Sequence, residues 1–432
     1  MAHHSAKPAY EEFTRRINRF PAGVSQSELL YEILERIFTE EEARLVAQLP
    51  LAPFAADGAA RAWKLSRAEA EGKLDHLAAR GLIVDIHNGR RRLYFMPPPV
   101  VGFFELALMR VPPDDDRKSL AELLYRYMNV DGEFLRQLHE PGGTQLGRAL
   151  VHEPALEDYD DSLHVLDHER ASAIIEEADS RAVGVCFCRH KLHHLDKACG
   201  APLELCMAFD TAADYLVRNG LARPFDASEG VELLHQAYEH GLVQYAENVR
   251  VGPNFICSCC SCCCDTLIAA RRFAVLRPVH TTRFLPVVDE ERCNGCGACV
   301  EVCPVEAMLT LSVAPGNGNG RRARRTTATV DEDRCLGCAL CTRACRRAAL
   351  SLAEREERVI TPLDSAHRTV VMAIERGKLQ NLVFDEHARA GHRALAAILG
   401  VVLKLPPVRQ VLASEQVKSR YLEALIARKR YW

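Results

Sequence analysis

All 18 cysteines of this 432-residue chain lie between Cys186 and Cys345. Thiolates bind soft metal ions and carry redox chemistry, whereas disulfide frameworks belong mainly to exported proteins. The N-terminus has no apolar signal region, so we expect a cytoplasmic location and reduced thiols. The clustering therefore predicts metal binding or redox chemistry.

The most specific pattern is a cysteine spacing that occurs twice within residues 285–355. Four cysteines follow C-x2-C-x2-C-x3-C, with a proline after the first occurrence only; the eight residues are Cys293, Cys296, Cys299, Cys303, Cys335, Cys338, Cys341 and Cys345. A tight loop with this spacing can bring three thiolates to one face of an iron–sulfur cubane, and a helix of the other repeat supplies the fourth. Zinc sites use two separated ligand pairs instead. The spacing thus favours iron–sulfur clusters over zinc.

The two repeats resemble the bacterial-type ferredoxins that carry two [4Fe–4S] clusters. The resemblance implies that one cluster is held by Cys293, Cys296, Cys299 and Cys345, and the other by Cys335, Cys338, Cys341 and Cys303. Here 31 residues rich in glycine and arginine separate Cys303 from Cys335. We interpret them as a solvated insertion; docking of an acidic redox partner is the alternative.

Ten further cysteines precede the repeats, and six of them fall within the eight residues 257–264. The ten are Cys186, Cys188, Cys199, Cys206, Cys257, Cys259, Cys260, Cys262, Cys263 and Cys264. Because adjacent side chains diverge, we expect the six to be divided between sites and to share them with the upstream four. We predict one or two additional iron–sulfur clusters, with zinc binding and a thiol–disulfide relay as alternatives. The basic residues at 189–194 would offset the thiolate charge.

The elements that carry these ten cysteines follow from local patterns. A strand predicted over Val183–Phe187 would continue to place Cys186 and Cys188 on one face. Cys199 lies in a loop bounded by glycine and proline, and Cys206 lies early in a helix predicted over Leu203–Arg218. A second helix is predicted over Ser228–His240, and glycines follow both helices.

Residues 1–100 are predicted to be mostly helical, with helices beginning at Ser27 and Ser66. A hairpin follows, with strands over 82–86 and 91–95 and a turn at Asn88-Gly89. This order resembles a winged helix-turn-helix domain, with Arg90, Arg91 and Arg92 on the wing. Residues 1–100 hold 14 Lys and Arg against 13 Asp and Glu, a net charge of +1. We therefore expect packing or protein contact rather than DNA binding.

The whole chain is predicted to be α+β and multidomain. The predicted divisions are a winged-helix-like domain (1–100), a helical connector (101–180), a Cys-rich α/β cluster-binding domain (181–284), a dicluster ferredoxin domain (285–361) and a helical C-terminal extension (362–432). Apolar stretches at Val370–Ile374 and Ala394–Leu405, with Trp432, are predicted either to contact a partner or to pack on the chain itself. No apolar run is long enough to span a membrane.

These features favour an electron-transfer function. The sequence lacks the glycine-rich motifs that bind NAD, FAD or ATP and lacks a serine nucleophile elbow, so no catalytic residue is predicted. We predict single-electron transfer by a subunit or partner of a larger oxidoreductase, exchanging electrons with a flavin- or metal-containing protein. Two alternatives are a reductase that binds substrate at an unusual cluster in the middle region and an iron–sulfur redox sensor that binds DNA.

Overall fold

The computed structural model describes residues 8–88, 91–110, 115–139, 143–156, 166–273, 278–313, 325–356 and 361–384. Helices and sheets are mixed in these ranges, in agreement with the predicted α+β class. The helices are α1 (Pro8–Ile17), α2 (Glu28–Ile37), α3 (Glu40–Ala47), α4 (Ala56–Trp63), α5 (Arg67–Ala79), α6 (Phe104–Arg110), α7 (Asp115–Tyr125), α8 (Glu133–Leu138), α9 (Ala171–Glu177), α10 (Phe187–His193), α11 (Asp210–Arg218), α12 (Ala227–Glu239), α13 (Asp265–Arg272), α14 (Ala298–Glu301), α15 (Leu340–Ala344), α16 (Ser365–Glu375) and α17 (Leu379–Val383).

The strands in the described ranges form four antiparallel sheets. They are β1 (Val84–Asn88), β2 (Arg91–Phe95), β3 (Gly147–Ala149), β4 (Arg181–Val185), β5 (Glu204–Phe209), β6 (Ala222–Pro224), β7 (Val243–Glu247), β8 (Phe255–Cys259), β9 (Phe284–Val288), β10 (Met308–Val313), β11 (Arg325–Val330) and β12 (Leu350–Glu354). The largest sheet has the order β3-β7-β8-β5-β4-β6. The other sheets pair β1 with β2, β9 with β12 and β10 with β11.

The helices α2 and α5 begin where the local patterns predict, and a hairpin follows, with its first strand two residues later than predicted because Asn88 still pairs with Arg91. The hydroxyl of Ser27 accepts a hydrogen bond from the N–H of Leu30 at 3.1 Å and caps α2. Ser66 and Glu69 form a capping box at α5. Strands β1 and β2 pair in register, while residues 89 and 90 of the predicted turn lie outside the described residues. The two helix starts and the hairpin are thus confirmed.

The hairpin packs against the large sheet's flanking helix rather than standing apart from the fold. The hydroxyl of Tyr215, on α11, donates to the carbonyl that precedes β1 at 3.3 Å. Arg92 pairs with Asp75 at 2.6 Å and with Asp85 at 3.0 Å. Its charge is therefore satisfied within the domain, and Arg90 lies outside the described residues. These contacts support the packing interpretation of the hairpin; the winged-helix resemblance stays a prediction.

The strand predicted through Phe187 is wrong in its last two residues. Strand β4 ends at Val185, and Cys186 is the residue that precedes α10, in which Cys188 occupies the first turn. The strand stops because Phe187 turns towards the core of the N-terminal helices and is 6% exposed there. Cys186 and Cys188 therefore do not share a strand face.

The helix predicted over Leu203–Arg218 is also wrong in its first half. Cys206 lies on strand β5, and the helix starts only at Asp210. Leu205, Met207 and Phe209 alternate along the strand and are all buried in the core beneath the sheet, which is the two-residue period of a strand. The helix predicted over Ser228–His240 is confirmed as α12.

The C-terminal apolar stretch Val370–Ile374 lies in α16 and packs within the chain. Four of its five residues are buried, against Leu51 and α17. Arg376 donates to the carbonyls of Pro21 and Leu138 at 2.9 and 2.8 Å. The stretch therefore does not form a partner surface, whereas 394–405 and residue 432 lie outside the described residues. None of the described helices is long and apolar enough to cross a membrane.

Candidate metal centres

The first set of thiols follows β9 and is completed from the second repeat. Its members are Cys293, Cys296, Cys299 and Cys345. Burial raises the pKa of Cys299, and the other three thiols raise it further, so all four are electrostatic neighbours. Backbone N–H groups already point at two of the sulfurs, from Ala328 to Cys293 at 3.4 Å and from Ala349 to Cys345 at 3.3 Å. Such donors stabilise thiolates bound to a metal.

The second set mirrors the first. Its members are Cys335, Cys338, Cys341 and Cys303. Burial raises the pKa of Cys338 to about 12, with the Cys303 and Cys335 thiols adding to the effect. N–H groups donate to Cys303 from Ala307 at 3.1 Å and to Cys335 from Gly337 at 3.4 Å. The eight thiols are therefore neighbours within one region, and Cys299 of the first set also acts on Cys341 of the second; their division into two ligand sets stays a prediction.

Two glycines make the tight loops around these sets possible. Gly295 has φ +68° and Gly337 has φ +72°, the left-handed region that favours glycine. A Cβ on Gly295 would meet the carbonyl oxygen of Thr326 at 2.5 Å. A Cβ on Gly337 would collide with the carbonyl oxygen of Phe284 and with the hydroxyl of Thr282. Each loop therefore lies directly against the backbone of a neighbouring strand.

The ten upstream cysteines separate into two further sets. The outer set consists of Cys199, Cys260, Cys262 and Cys263, whose four sulfurs all lie within 4.8 Å of one another. Measured Sγ–Sγ distances are 3.6 Å for Cys199–Cys260, 3.8 Å for Cys263–Cys199 and 3.7 Å for Cys262–Cys263. The turn between β8 and α13 allows the adjacent residues 262 and 263 to face one centre. The expectation that adjacent thiols diverge is wrong for this pair.

The inner set contains the other six thiols and lies deeper. Each thiol shifts the pKa of the next in the order Cys186, Cys206, Cys257, Cys259, Cys264 and Cys188, so the six are neighbours. None of them is exposed. Hydrogen bonds from neighbouring thiols lower the pKa of Cys257 to about 6 and that of Cys264 well below its ordinary value. Thiolates, the form that binds metal, are thus favoured at two positions of this set.

Arg189 lies between the inner and outer sets. Its side chain is fully buried and donates to the carbonyls of Pro202 at 2.5 Å and Ser258 at 3.3 Å. The same guanidinium reaches Cys260 Sγ at 3.7 Å. A hydrogen bond from Cys263 lowers the pKa of Cys260 to about 4. The positive charge of Arg189 also lowers it, whereas burial acts to raise it. Burial lowers the pKa of Arg189 itself, but the thiols around it, Cys186 first, raise it overall.

The other basic residues of segment 189–194 have different partners. Lys191 is fully buried, and its ammonium donates to Asp265 at 2.5 Å and to Asn129 at 2.8 Å. His190 and His194 approach each other at 3.0 Å between their Nε2 atoms. Among the basic residues of this segment, Arg189 is thus the one that donates a hydrogen bond to a thiol, that of Cys260. It is the residue placed to offset thiolate charge, as predicted for the segment.

Tyr245 connects the inner set with the second ferredoxin-type set and carries no sequence signal of its own. It lies on β7 opposite Cys257 and is 4% exposed. Its hydroxyl has no hydrogen-bond partner among the described residues. Burial has the largest effect and raises the pKa of Tyr245, and the thiols of Cys264, Cys259 and Cys338 raise it further. Its hydroxyl is therefore influenced by thiols of both sets.

Comparison with known proteins identifies one segment. Residues 286–309, which contain the first cysteine spacing, match the 4Fe–4S binding domain family. No curated protein and no solved structure matches the chain. The match and the clustered cysteines together identify an iron–sulfur protein with a 4Fe–4S binding segment.

Proposed function

We propose that this chain relays single electrons between protein redox partners, as a subunit or partner of a larger cytoplasmic oxidoreductase. The observation that carries the proposal is a shared apolar environment for thiols of different sets. Cys259 and Cys264 of the inner set, Cys335 and Cys338 of the second set and Tyr245 belong to one buried cluster. Bound iron–sulfur clusters supply one-electron chemistry. Sites within one buried environment suit electron passage better than sites on separate surfaces.

The donor chemistry at the two ferredoxin-type sets fits [4Fe–4S] clusters. Each set offers four thiols, glycines that allow close backbone approach, and N–H groups aimed at sulfur. The short helices α14 and α15 contact each other, and the cysteines that the resemblance assigns to the opposite repeat's set, Cys303 and Cys345, follow just after them. The two sets thus share the small core between these helices, which favours transfer between them.

The inner set fits a third cluster. It has six thiols where a cubane needs four. Two cations lie beside it, since Arg189 neighbours Cys186 and Lys191 pairs with Asp265, which in turn accepts from Cys188 at 3.5 Å. The hydrogen bond with Cys206 and burial raise the pKa of Cys186, and the Arg189 charge opposes them in favour of the thiolate that metal binding needs. Hydrogen bonding with a neighbouring thiol and burial raise the pKa of Cys188, and Asp265 acts in the same direction. We therefore propose three iron–sulfur sites in series: the first set, the second set and the inner set.

The test is metal content after anaerobic purification. Three cubanes predict about twelve iron and twelve acid-labile sulfide per chain. Cys296→Ala and Cys338→Ala should each remove one ferredoxin-type cluster, and Cys186→Ala should lower iron while leaving the spectra of the other two unchanged. Full iron and an unchanged reduction spectrum in either of the first two variants would refute the ferredoxin assignment. Because six thiols can supply four ligands without Cys186, the result that would refute the third cluster is about eight iron per wild-type chain in place of twelve.

Electron relay needs a second measurement, because cluster content alone does not establish it. Reduction of the wild-type chain by a low-potential donor, followed by freeze-quench paramagnetic resonance, should show spin–spin interaction between neighbouring sites. Cys338→Ala removes the middle site and should abolish that interaction for both remaining sites. A chain in which the remaining sites still interact in this variant would contradict the proposed series.

A further inference from the structure

Among the described residues, the outer set is the one group of four thiols whose sulfurs all lie within 4.8 Å of one another. The three measured distances among Cys199, Cys260, Cys262 and Cys263 span 3.6–3.8 Å. Four thiolates at about 2.3 Å around one tetrahedral zinc ion are separated by about 3.8 Å. In a cubane each thiolate binds a different iron corner, so the sulfurs lie farther apart. The outer set therefore has the dimensions of a site for a single ion.

Charge and position agree with a structural ion. Four thiolates around a divalent ion leave a net charge of minus two, and the buried Arg189 guanidinium lies 3.7 Å from Cys260 to offset part of it. Cys262 is exposed and Cys199 is half-buried, so the set lies at the surface. It joins the loop before β5 to the turn before α13, 61 positions apart in sequence. Four protein ligands leave no open coordination position, which is the pattern of a structural site.

We infer that Cys199, Cys260, Cys262 and Cys263 hold one Zn²⁺ in a tetrahedral tetrathiolate site that fixes the loop around Cys199. Zinc is favoured over a single Fe²⁺ because nitrogen and sulfur ligands bind it more tightly. The site is separate from the proposed relay, since it takes no thiol from the inner set. Its role is to hold Arg189, which also binds that loop at Pro202, beside the inner set.

The test measures zinc, iron and sulfide together in the full chain purified without oxygen. We expect one zinc per chain in the wild type. Cys263→Ser and Cys262→Ser should lose it with iron and sulfide unchanged. Cys338→Ala is the matched control and should lose iron while keeping zinc. Cys262 is exposed, so its variant keeps the test valid if the buried Cys263 variant does not fold.

X-ray absorption at the zinc edge of the wild-type protein gives an answer that needs no variant. Four sulfur ligands at about 2.3 Å support the site. Nitrogen or oxygen ligands, absence of zinc, or a single iron bound in its place would overturn it. Loss of iron together with sulfide in Cys262→Ser would also overturn it, because the outer set would then hold a cluster. A wild-type chain that contains full iron but no zinc would overturn the zinc site and leave the relay proposal unaffected. The two proposals can therefore be refuted independently.

Discussion

Replacing Tyr245 with phenylalanine removes one buried hydroxyl between two proposed cluster sites. The hydroxyl has no hydrogen-bond partner among the described residues, and the ring is 4% exposed. Phenylalanine keeps the ring and its packing. Because losing an unpartnered buried polar group does not destabilise a fold, we expect Tyr245→Phe to fold and to bind its full iron content.

The expected effect is on reduction potential. The hydroxyl has no partner among the described residues; with a cluster bound at the inner or the second set, we expect it to donate to cluster sulfur. Such a donor stabilises the reduced, more negative state, so its loss lowers the potential. A hydrogen bond to a charged group contributes about 1.5–3 kcal/mol in all. We take the hydrogen bond to be stronger by about 1 kcal/mol in the reduced state than in the oxidised state. Its loss then lowers the one-electron reduction potential by about 40 mV. Cys264 and Cys259 of the inner set raise the pKa of Tyr245 more than Cys338 of the second set does. We therefore expect the larger change in reduction potential at the inner site.

Potentiometric titration monitored by paramagnetic resonance is the assay. The first ferredoxin-type set is the internal control, because none of its thiols acts on Tyr245. Tyr238→Phe is the matched variant, since that buried hydroxyl bonds Glu153 at 3.3 Å instead of facing thiols. Unchanged potentials at both the inner and the second site in Tyr245→Phe would refute the reasoning, as would an equal shift in Tyr238→Phe.

Three further predictions concern the free energy of unfolding and the iron content of variants. Lys191→Met should cost about 3–5 kcal/mol of unfolding free energy by leaving the buried Asp265 carboxylate without its opposite charge. Adding Asp265→Asn should partly restore the free energy of unfolding, measured by denaturant unfolding. Gly337→Ala should lose about four irons because its Cβ has no room. Gly72→Ala, on helix α5 with nothing within 4 Å of its Cβ, should keep the full iron content, and equal iron content in the two variants would contradict this. Burial lowers the pKa of His139 to about 4, so the folded chain stays neutral there while the unfolded chain binds a proton below about pH 6.5. Wild-type stability should therefore fall relative to His139→Phe between about pH 6.5 and pH 4, by up to about 3 kcal/mol, and parallel curves would contradict the shift.

Elements with local signals could be predicted from the sequence. The hydroxyl of Ser66 and the carboxylate of Glu69 cap α5 using residues three apart, so nothing distant decides the start of that helix. The middle region is different. Segment 203–209 has apolar residues compatible with helix or strand, and pairing with β4 and β8 makes it a strand. Cys206 was therefore misplaced because its element is decided by tertiary pairing.

The candidate sites show the same limit. The spacing from Cys293 to Cys303 is a local motif, and the family match covers it. The sequence predicts that the six cysteines at 257–264 belong to more than one site. It does not predict which cysteine belongs to which site, because that depends on where β8 ends. Tyr245 could not be found at all, because a tyrosine in a buried strand is ordinary core until the thiols around it are known.

The division of residues 257–264 follows from three successive backbone conformations. On strand β8, Cys257 and Cys259 point to one face, while Ile256 packs into the core beneath the sheet on the other. After the strand ends, the turn brings Cys260, Cys262 and Cys263 together, with Cys262 exposed, Cys263 buried and Cys260 beside Arg189. The first residue before α13, Cys264, then returns to the buried cluster. One dense run of cysteines thereby contributes to both the inner and the outer set, and the end of β8 is the feature that separates the two proposed metal sites.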